Sequence, residues 1–472
     1  MSFASFGFAV LLAVVILARL TIGRTKQSPL YLGVLLCASF LFYGWHIPAY
    51  ALLLIASITV DFVAGLAMGR PDASARWRRA LLILSLTTNL GLLALFKYAD
   101  FFLESTTALG HFAGFDTGFE SLGWALPMGI SFYTFQSMSY TIDVYRRVLP
   151  PYRSFWKFAL FVSFFPQLVA GPIVRAKEFL YQIDRRRSLR MPAIREGLFL
   201  LIEGFFLKVV VSNHLGTVVD AHWDAAAAPG AGSLAVLAVA FLFGVQIFAD
   251  FAGYSNIARG CAYLLGFRIP VNFESPYIAT SFREYWARWH MTLSQWLRDY
   301  LYVSLGGNRR GARRTLVNLW LVMTLAGLWH GAATHFVVWG ALHGAALVLE
   351  RMLGFDGRSG RPGVFREVVW FCVAQGGVLL GWLVFRATDL DQTGAFLENL
   401  ASLRFGLPET LPMGWALLVA SPVIFMHLRA FVVERFGFPP AGVTERAVLA
   451  GAMLYLCMTA NGVSDAFIYF QF

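Results

Sequence analysis

The sequence is a succession of apolar runs, each close to the length of a helix that crosses a membrane. Examples are "FASFGFAVLLAVVILARL", "YALLLIASITVDFVAGLAM", "ALLILSLTTNLGLLALF" and "SLAVLAVAFLFGVQIFA". An α-helix needs about 20 apolar residues to cross roughly 30 Å of hydrocarbon. Hydrophobic residues make up 58% of the 472 and charged residues only 14%, a composition unlike that of soluble domains. The chain is therefore predicted to be an all-α polytopic membrane protein.

The distribution of charge along the chain predicts its topology. Residues 70–79 contain four arginines and residues 175–190 contain six basic residues, whereas 104–123 and 213–232 contain neither Lys nor Arg. The positive-inside rule places the first two segments in the cytoplasm and the last two on the opposite side. The net charge of +11 is therefore interpreted as a topology signal, and no nucleic-acid partner is expected.

Two segments fit badly as plain membrane crossings. Residues 155–175 contain Pro166, Gly171 and Pro172, and residues 275–311 carry too many charges for a helix that faces lipid. Irregular backbone and charges are tolerated at membrane depth only where protein or a cavity surrounds them. We predict re-entrant or interfacial helices on the cytoplasmic side for both segments.

The second of these segments mixes charges with aromatic anchors. An amphipathic interfacial helix, with tryptophans as anchors and arginines toward the headgroups, accounts for most of them. It explains His290 less well, since a histidine contributes little to membrane anchoring. The polar residues are Arg283, Glu284, Arg288, His290, Arg298 and Asp299, and the tryptophans are Trp286, Trp289 and Trp296.

The motif "GLWHGA" places His330 within an otherwise apolar run. An ionisable group at membrane depth is costly and is a candidate for function, although a neutral histidine hydrogen-bonded to a neighbouring helix is the structural alternative. The small residues around it, Gly327, Gly331, Ala332 and Ala333, permit close helix packing and also the approach of a substrate.

Three other classes are not favoured: a metal site, a conventional nucleophilic triad and a proton-coupled carrier. His330 and His335 lie about 140° apart around a helix at about 100° per residue, and His343 also diverges from His330, so one helix face does not present all three to a metal. The chain has no H-E-x-x-H motif and no G-x-S-x-G motif. A proton-coupled carrier would show a matching pair of broken segments in two halves, and no such repeat is found.

Five stretches carry a family resemblance: residues 126–147, 161–179, 250–267, 271–311 and 327–344. In these stretches the chain resembles the membrane-bound O-acyltransferase (MBOAT) family, and within it the bacterial branch that O-acetylates alginate. D-alanyl transferases of cell-wall polymers are more distant cousins. The resemblance implies a ring of about 11 transmembrane helices around a tunnel, with re-entrant helices.

With no linker or appended domain, we expect a single membrane domain over 1–472, with the core signature at 125–345 and peripheral helices in 1–124 and 346–472. The resemblance also implies that His330 and His290 are the functional histidines. The other residues expected to line the substrate or donor tunnel are Trp286, Arg288, Trp289, Arg298, Asp299, Trp329 and Gly331.

Acetyl transfer from a thioester to a sugar hydroxyl needs a base near neutral pH, a task that suits histidine. We assign the base to His330. His290 then hydrogen-bonds the thioester carbonyl, holds the acceptor or receives the proton, and neither direct transfer nor an acyl-enzyme is excluded. No bound cofactor is expected; the donor is acetyl-CoA or an acyl-carrier thioester. The basic segments 175–190 and 305–314 either attract this anionic donor or only set topology.

The expected function is that of an acyltransferase in the bacterial inner membrane. It would pass acetyl groups toward an exported polysaccharide such as alginate, with a periplasmic acetyltransferase or another polysaccharide-modification protein as partner. D-alanyl or other acyl transfer to a cell-wall polymer is the alternative within the family. A transporter or scaffold without chemistry of its own is the alternative from another class.

Overall fold

A computed structural model describes residues 1–23, 28–115, 118, 120–185, 189–355 and 363–460. Throughout these ranges the regular secondary structure is helical, without strands, which confirms the predicted all-α class. Residues 186–188 of the basic segment 175–190, and residues 116, 117 and 119 of the segment without Lys or Arg, lie outside the described residues.

The helices are numbered here in chain order. They are α1 Phe6–Thr21, α2 Pro29–Tyr43, α3 Tyr50–Met68, α4 Ala75–Leu93, α5 Ala99–Phe112, α6 Ile130–Tyr145, α7 Phe155–Ser163, α8 Phe165–Leu168, α9 Ala176–Asp184, α10 Met191–Phe205, α11 Asn213–Ala227, α12 Ser233–Leu265, α13 Phe282–Arg288, α14 Met291–Trp296, α15 Ala312–His330, α16 Thr334–Met352, α17 Val364–Arg386, α18 Leu390–Ala401, α19 Met413–Phe436 and α20 Val443–Thr459.

Within the described residues, six helical stretches are long and apolar enough to cross a membrane. Two of them are composite, because a π-helical turn joins α4 to α5 and another joins α10 to α11. The helices α1 and α2 are apolar but shorter. The multi-pass architecture is thereby confirmed, while the count of about 11 crossings stays a prediction. The six stretches are Tyr50–Met68, Ala75–Phe112, Met191–Ala227, Ser233–Leu265, Val364–Arg386 and Met413–Phe436.

The chain forms two compact units. The first comprises Met1–Leu198 and Ala258–Pro270, and the second comprises Phe199–Ile257 and Val271–Phe472. Both histidines chosen from the sequence fall in the second unit. The expectation of one membrane domain over the whole chain stays a prediction.

A buried carboxylate organises the first unit. Asp61 of α3 is fully buried and accepts hydrogen bonds from Ser85 and Asn89 of α4 and from Ser137 of α6. Burying a charged or polar group is costly unless it is hydrogen-bonded, so this network fixes how the three helices pack. The sequence reading did not predict it.

Both irregular segments are broken into short helices, as expected for segments that do not cross the membrane plainly. In the first, α7 ends at Ser163, and the next residue, Phe164, leaves the helical region with a ψ of 108°. Phe165 begins α8, with Pro166 in its first turn. In the second, a 3₁₀ turn Pro276–Ile278 precedes α13 and α14, and a π turn Leu297–Tyr302 follows. Their placement at the cytoplasmic side stays a prediction.

In the second unit, α15 and α16 form a hairpin whose backbones touch. A Cβ added to Gly327 would lie 2.1 Å from the carbonyl oxygen of Phe336, and one added to Gly340 would lie 2.3 Å from that of Met323. Small residues let membrane helices approach this closely, so the glycines fix where α15 ends relative to α16. His330 is the last residue of α15.

Gly340→Ala is expected to destabilise the hairpin, because its Cβ meets backbone that cannot move aside. Overpacking of this kind costs about 1–3 kcal/mol and should lower the melting temperature of the purified protein in nanodiscs. Gly376→Ala on α17 is the matched control, since nothing lies within 4 Å of its added Cβ. Equal melting temperatures for the two variants would contradict the assignment.

Candidate functional site

His290 occupies an unusual backbone position at the start of α14. It is fully buried, and its φ of 43° lies in the left-handed region that non-glycine residues rarely adopt. Such strain persists only where the surrounding structure enforces it, and it is frequent at functional sites. Two backbone hydrogen bonds tie the residues on either side of His290 to residues 272–274. Met291 N donates to Asn272 O at 2.9 Å, and Glu274 N donates to Arg288 O at 3.0 Å.

Asn272 is the hub that orients the imidazole of His290. Its Oδ1 accepts from Nδ1 of His290 at 3.2 Å and from the backbone N and Oγ1 of Thr292 at 3.2 and 2.8 Å. Its Nδ2 donates to Oγ of Ser255 at 3.4 Å. Because an amide oxygen only accepts, the proton of a neutral His290 lies on Nδ1, and Nε2 is its basic nitrogen.

His330 lies at the end of α15, also buried, within a cage of aromatic rings. Its ring centroid is 5.0 Å from that of Trp329, 5.1 Å from that of Trp339 and 5.6 Å from that of Phe385. Trp339 belongs to α16 and Phe385 to α17, so three helices of the second unit hold this histidine. The following residue, Gly331, leaves the helical conformation and ends α15.

Trp329 brings the two histidines into one cluster. Its ring centroid lies 6.2 Å from that of His290 and 5.0 Å from that of His330. The two imidazoles are thus no further apart than the sum of these distances, although they come from residues 40 positions apart in different helices. Grouping these two histidines required the family resemblance; the structure brings them together around one indole.

A cavity of about 560 Å³ opens beside this cluster in the second unit. Three arginines and two carboxylates line it together with apolar residues of α13 to α16. Met291, the neighbour of His290, is in its wall, and so is Ala326, four residues before His330. The charged lining residues are Arg283, Arg298, Asp299, Glu350 and Arg351.

A second cavity, of about 680 Å³, lies between α12, α17 and α19 of the same unit. Its lining is mainly apolar, with Glu367 and Arg435 as charged members and His427 as a buried polar residue. Nδ1 of His427 donates to the carbonyl of Val423 at 2.8 Å. The second cavity shares no lining residue with the first cavity. Neither His290 nor His330 lines the second cavity.

Three of the predicted tunnel residues line the first cavity: Trp286, Arg298 and Asp299. Arg298 Nε donates to Asp299 Oδ1 at 2.7 Å, and this hydrogen bond raises the pKa of the guanidinium. The pair therefore carries little net charge into the cavity. Of the other charged lining residues, Arg283 and Arg351 are positive and Glu350 is negative, so the lining carries a small formal positive charge.

The remaining predicted residues have packing or bridging contacts. Arg288 forms a bidentate pair with Glu434 of α19 at 2.9 and 2.7 Å, which raises the pKa of its guanidinium. Trp289 packs between Phe273 and Trp382, with ring centroids at 4.9 and 5.0 Å. Their role in a tunnel stays a prediction.

Gly331 is held by the same hairpin packing. A Cβ added there would lie 1.9 Å from the ring of Phe336, so the space beside it is filled by protein. Gly331 therefore permits close packing, one of the two uses expected for the small residues around His330, and its role in a tunnel stays a prediction.

Glu350 is a buried carboxylate in the cavity wall that was not among the residues predicted from the sequence. It is buried on α16, and its carboxylate accepts hydrogen bonds from the backbone N–H groups of Phe282 and Arg283 at 2.6 and 3.2 Å. These are the first N–H groups of α13, where a negative charge is stabilising. Glu350 thus anchors the helix that carries Trp286 to the cavity.

Comparison with known proteins gives the family. The model of MBOAT, the membrane-bound O-acyltransferase family, matches residues 130–355. A probable alginate O-acetylase AlgI of Pseudomonas putida is 39% identical over 468 residues, which cover 93% of this chain and 94% of that protein. The chain belongs to the membrane-bound O-acyltransferase family.

Two further relatives of this O-acyltransferase also have names that describe O-acetyl transfer. A probable alginate O-acetylase AlgI of Pseudomonas aeruginosa is 38% identical over 405 residues, which cover 86% of this chain and 76% of that protein. A peptidoglycan O-acetyltransferase of Helicobacter pylori is 33% identical over 404 residues, which cover 80% of this chain and 75% of that protein. The predicted acyltransferase activity is confirmed, while the roles of His290 and His330 stay predictions.

Replacing Asn272 with Leu removes the acceptor that orients His290 and should slow acyl transfer by this O-acyltransferase. Misplacing a catalytic group by about 1 Å can cost up to about 100-fold in rate, so kcat should fall by 10- to 100-fold. Asn399→Leu is the control, because Asn399 donates to the carbonyls of Ala226 and Ala228 in the same unit. A wild-type kcat for Asn272→Leu would exclude this role.

Proposed function

We propose that the protein transfers an acetyl group from a cytoplasmic thioester to a hydroxyl acceptor, for the O-acetylation of an exported polysaccharide such as alginate. The observation that carries the proposal is the buried cluster in which His290 and His330 contact the same tryptophan beside a cavity edged with arginines. The two Pseudomonas relatives are probable alginate O-acetylases, which supports alginate as the polymer.

The cavity is the proposed binding site of the acyl donor. Coenzyme A and phosphopantetheine carriers are anionic, and Arg283 and Arg351 supply positive charge in the wall. Trp286 offers an apolar surface beside them. Arg309, Arg310, Arg313 and Arg314 follow the cavity segment in sequence and would extend the positive potential toward the cytoplasm. Acetyl-CoA is the donor that we propose to test first.

The reaction requires a base and an unblocked path for the proton. The acceptor oxygen forms a bond with the acetyl carbon as the carbon–sulfur bond breaks, and His330 takes the hydroxyl proton. That proton then neutralises the departing thiolate. A positioned base of this kind typically contributes about 10²- to 10⁴-fold. The aromatic cage excludes water, which would otherwise compete with the acceptor.

For His290, the hydrogen bond to Asn272 supports one role over another. With the proton on Nδ1 and Asn272 as its acceptor, Nε2 is the nitrogen that accepts a hydrogen bond. An accepting nitrogen suits a hydroxyl of the acceptor, whereas the thioester carbonyl would need a donor. We therefore propose that His290 holds the acceptor or receives its proton.

The setting proposed for this reaction is the bacterial inner membrane, with a periplasmic acetyltransferase or another polysaccharide-modification protein receiving the acetyl group. The six apolar spans and the segregation of basic segments support a protein with a defined cytoplasmic side. Peptidoglycan is the second candidate polymer, favoured by the Helicobacter relative. Membranes that contain the protein can be given alginate or peptidoglycan fragments, and the acetylation of each measured. The polymer that is acetylated identifies the acceptor.

His330→Ala should abolish acetyl transfer in purified protein supplied with acetyl-CoA, with a fall in kcat of at least about 10²-fold. His335→Ala is the control, because His335 is buried nearby on α16 and packs on Phe336 with centroids 4.2 Å apart. Release of free coenzyme A and acetylated acceptor are measured together. Wild-type turnover in a folded His330→Ala variant would overturn the catalytic assignment.

The same assay separates an enzyme from a carrier. Wild-type protein that moves acetyl-CoA or polymer across vesicles without releasing free coenzyme A would support a transport function. The chemistry predicts coenzyme A release in step with acceptor acetylation, at one to one, because each acetyl group transferred leaves one thiol behind.

A further inference from the structure

The proposed donor cavity stops short of His330. Its wall reaches Ala326 on α15 and Leu347 on α16. His330 lies four residues beyond Ala326, which is about 6 Å along a helix. An acyl group that enters through the cavity must cross this interval, and the residue that faces it from α16 is His343, one turn before Leu347.

His343 is placed between the cavity wall and the neighbours of His330. It is only 4% exposed. Its ring centroid is 5.3 Å from that of Trp286, a lining residue of the cavity, and 4.8 Å from that of Trp339. Trp339 in turn contacts His330 at 5.1 Å. The three side chains therefore form the border of the interval.

Polar atoms on this border have no protein partner. Within the described part of the chain, Nδ1 of His343 and the indole Nε1 atoms of Trp286 and Trp339 are buried without a hydrogen bond. Buried polar groups in native proteins are nearly always hydrogen-bonded, and an unpaired one is costly. Phenylalanine would fill all three positions without that cost, so packing alone does not explain these residues.

The fold makes room specifically for this imidazole. Gly381 of α17 faces it, and a Cβ added to Gly381 would lie 2.7 Å from Nε2 of His343. A Cβ at this position would force the imidazole to move, since 2.7 Å is closer than van der Waals contact allows. A glycine in a membrane helix is therefore used to keep His343 in place.

We propose that His343, together with the indole N–H groups of Trp286 and Trp339, hydrogen-bonds the amide-bearing arm of the acyl donor on its way to His330. The arm is common to coenzyme A and acyl-carrier proteins, and its amides present carbonyl oxygens to N–H donors and an N–H to an imidazole nitrogen. This assignment rests on the proposed acetyl transfer and adds His343 as a donor-binding residue.

The test uses S-acetylpantetheine, which contains the shared arm and no nucleotide or carrier protein. His343→Phe keeps an aromatic ring, somewhat larger than the imidazole, and removes both nitrogens. Loss of a neutral hydrogen bond should raise KM for S-acetylpantetheine about five- to tenfold, while kcat changes less than about twofold, since the bond is made before and during transfer. Trp286→Phe, which loses one N–H and whose ring packs on His343 with centroids 5.3 Å apart, should act in the same direction. Trp339→Phe should also raise KM, with a further effect on kcat because Trp339 packs on His330.

Two comparisons separate binding from packing. His427→Phe replaces another buried histidine, which packs on Phe248 and Tyr277 with centroids at 4.8 and 5.2 Å and lines the other cavity, so its KM should equal that of wild type. His343→Gln restores hydrogen-bonding atoms and should recover KM to within about threefold. Loss of packing alone would make His343→Gln worse than His343→Phe.

The outcomes distinguish this inference from the proposed function. A wild-type KM in folded His343→Phe and Trp339→Phe, measured on enzyme that transfers acetyl groups, overturns the role of His343 alone. A wild-type enzyme that transfers no acetyl group from S-acetylpantetheine or acetyl-CoA overturns the proposed function and this assignment with it. If His343→Phe does not fold, the Trp286→Phe result decides, because Trp286 lines the cavity and packs on His343.

Discussion

The direct backbone contact between α15 and α16 is the constraint on which the site depends. Gly327 and Gly340 face each other across the hairpin, and neither position has space for a side chain. The contact fixes the end of α15, where His330 lies, against Trp339 of α16. It also brings the wall of the cavity and the cage of His330 onto the same two helices.

A second constraint is the cost of burying polar groups away from water. For Asp61 in the first unit and Asn272 in the second, hydrogen bonds offset this cost. Each side chain accepts hydrogen bonds from several donors on neighbouring segments. Around Asn272 the hydrogen bonds set the position of the proton on a neutral His290. Around His343 the cost is left uncompensated by protein, which is the basis for placing a ligand there.

Much of this could be predicted from the sequence. Apolar runs gave the helical membrane class, and the proline and charge content marked 155–175 and 275–311 as irregular. Local pattern could not show that Gly331 serves packing against Phe336, since a glycine next to a histidine also suits an open groove. Grouping His290 with His330 needed the family resemblance, because no periodicity links residues in different helices.

Other features depend on contacts that no local pattern encodes. Glu350 lies beside Arg351 near the end of an otherwise mainly apolar helix, and only the fold brings it to the start of α13. The local sequence around His343 contains no signal of function that the sequence around His335 lacks. The distinction of His343 comes from Gly381, a residue of another helix that leaves space for the ring.

The central claim is that an acyl donor reaches His330 through the cavity beside α13 to α16. A structure of the protein bound to a non-transferable thioether analogue of acetyl-CoA tests it most directly. If the donor takes this path, the nucleotide of the analogue lies near Arg283 and Arg351, and its acetyl-bearing end lies against the imidazole of His330. An analogue bound in the cavity between α12, α17 and α19, with the cage of His330 closed, would contradict it.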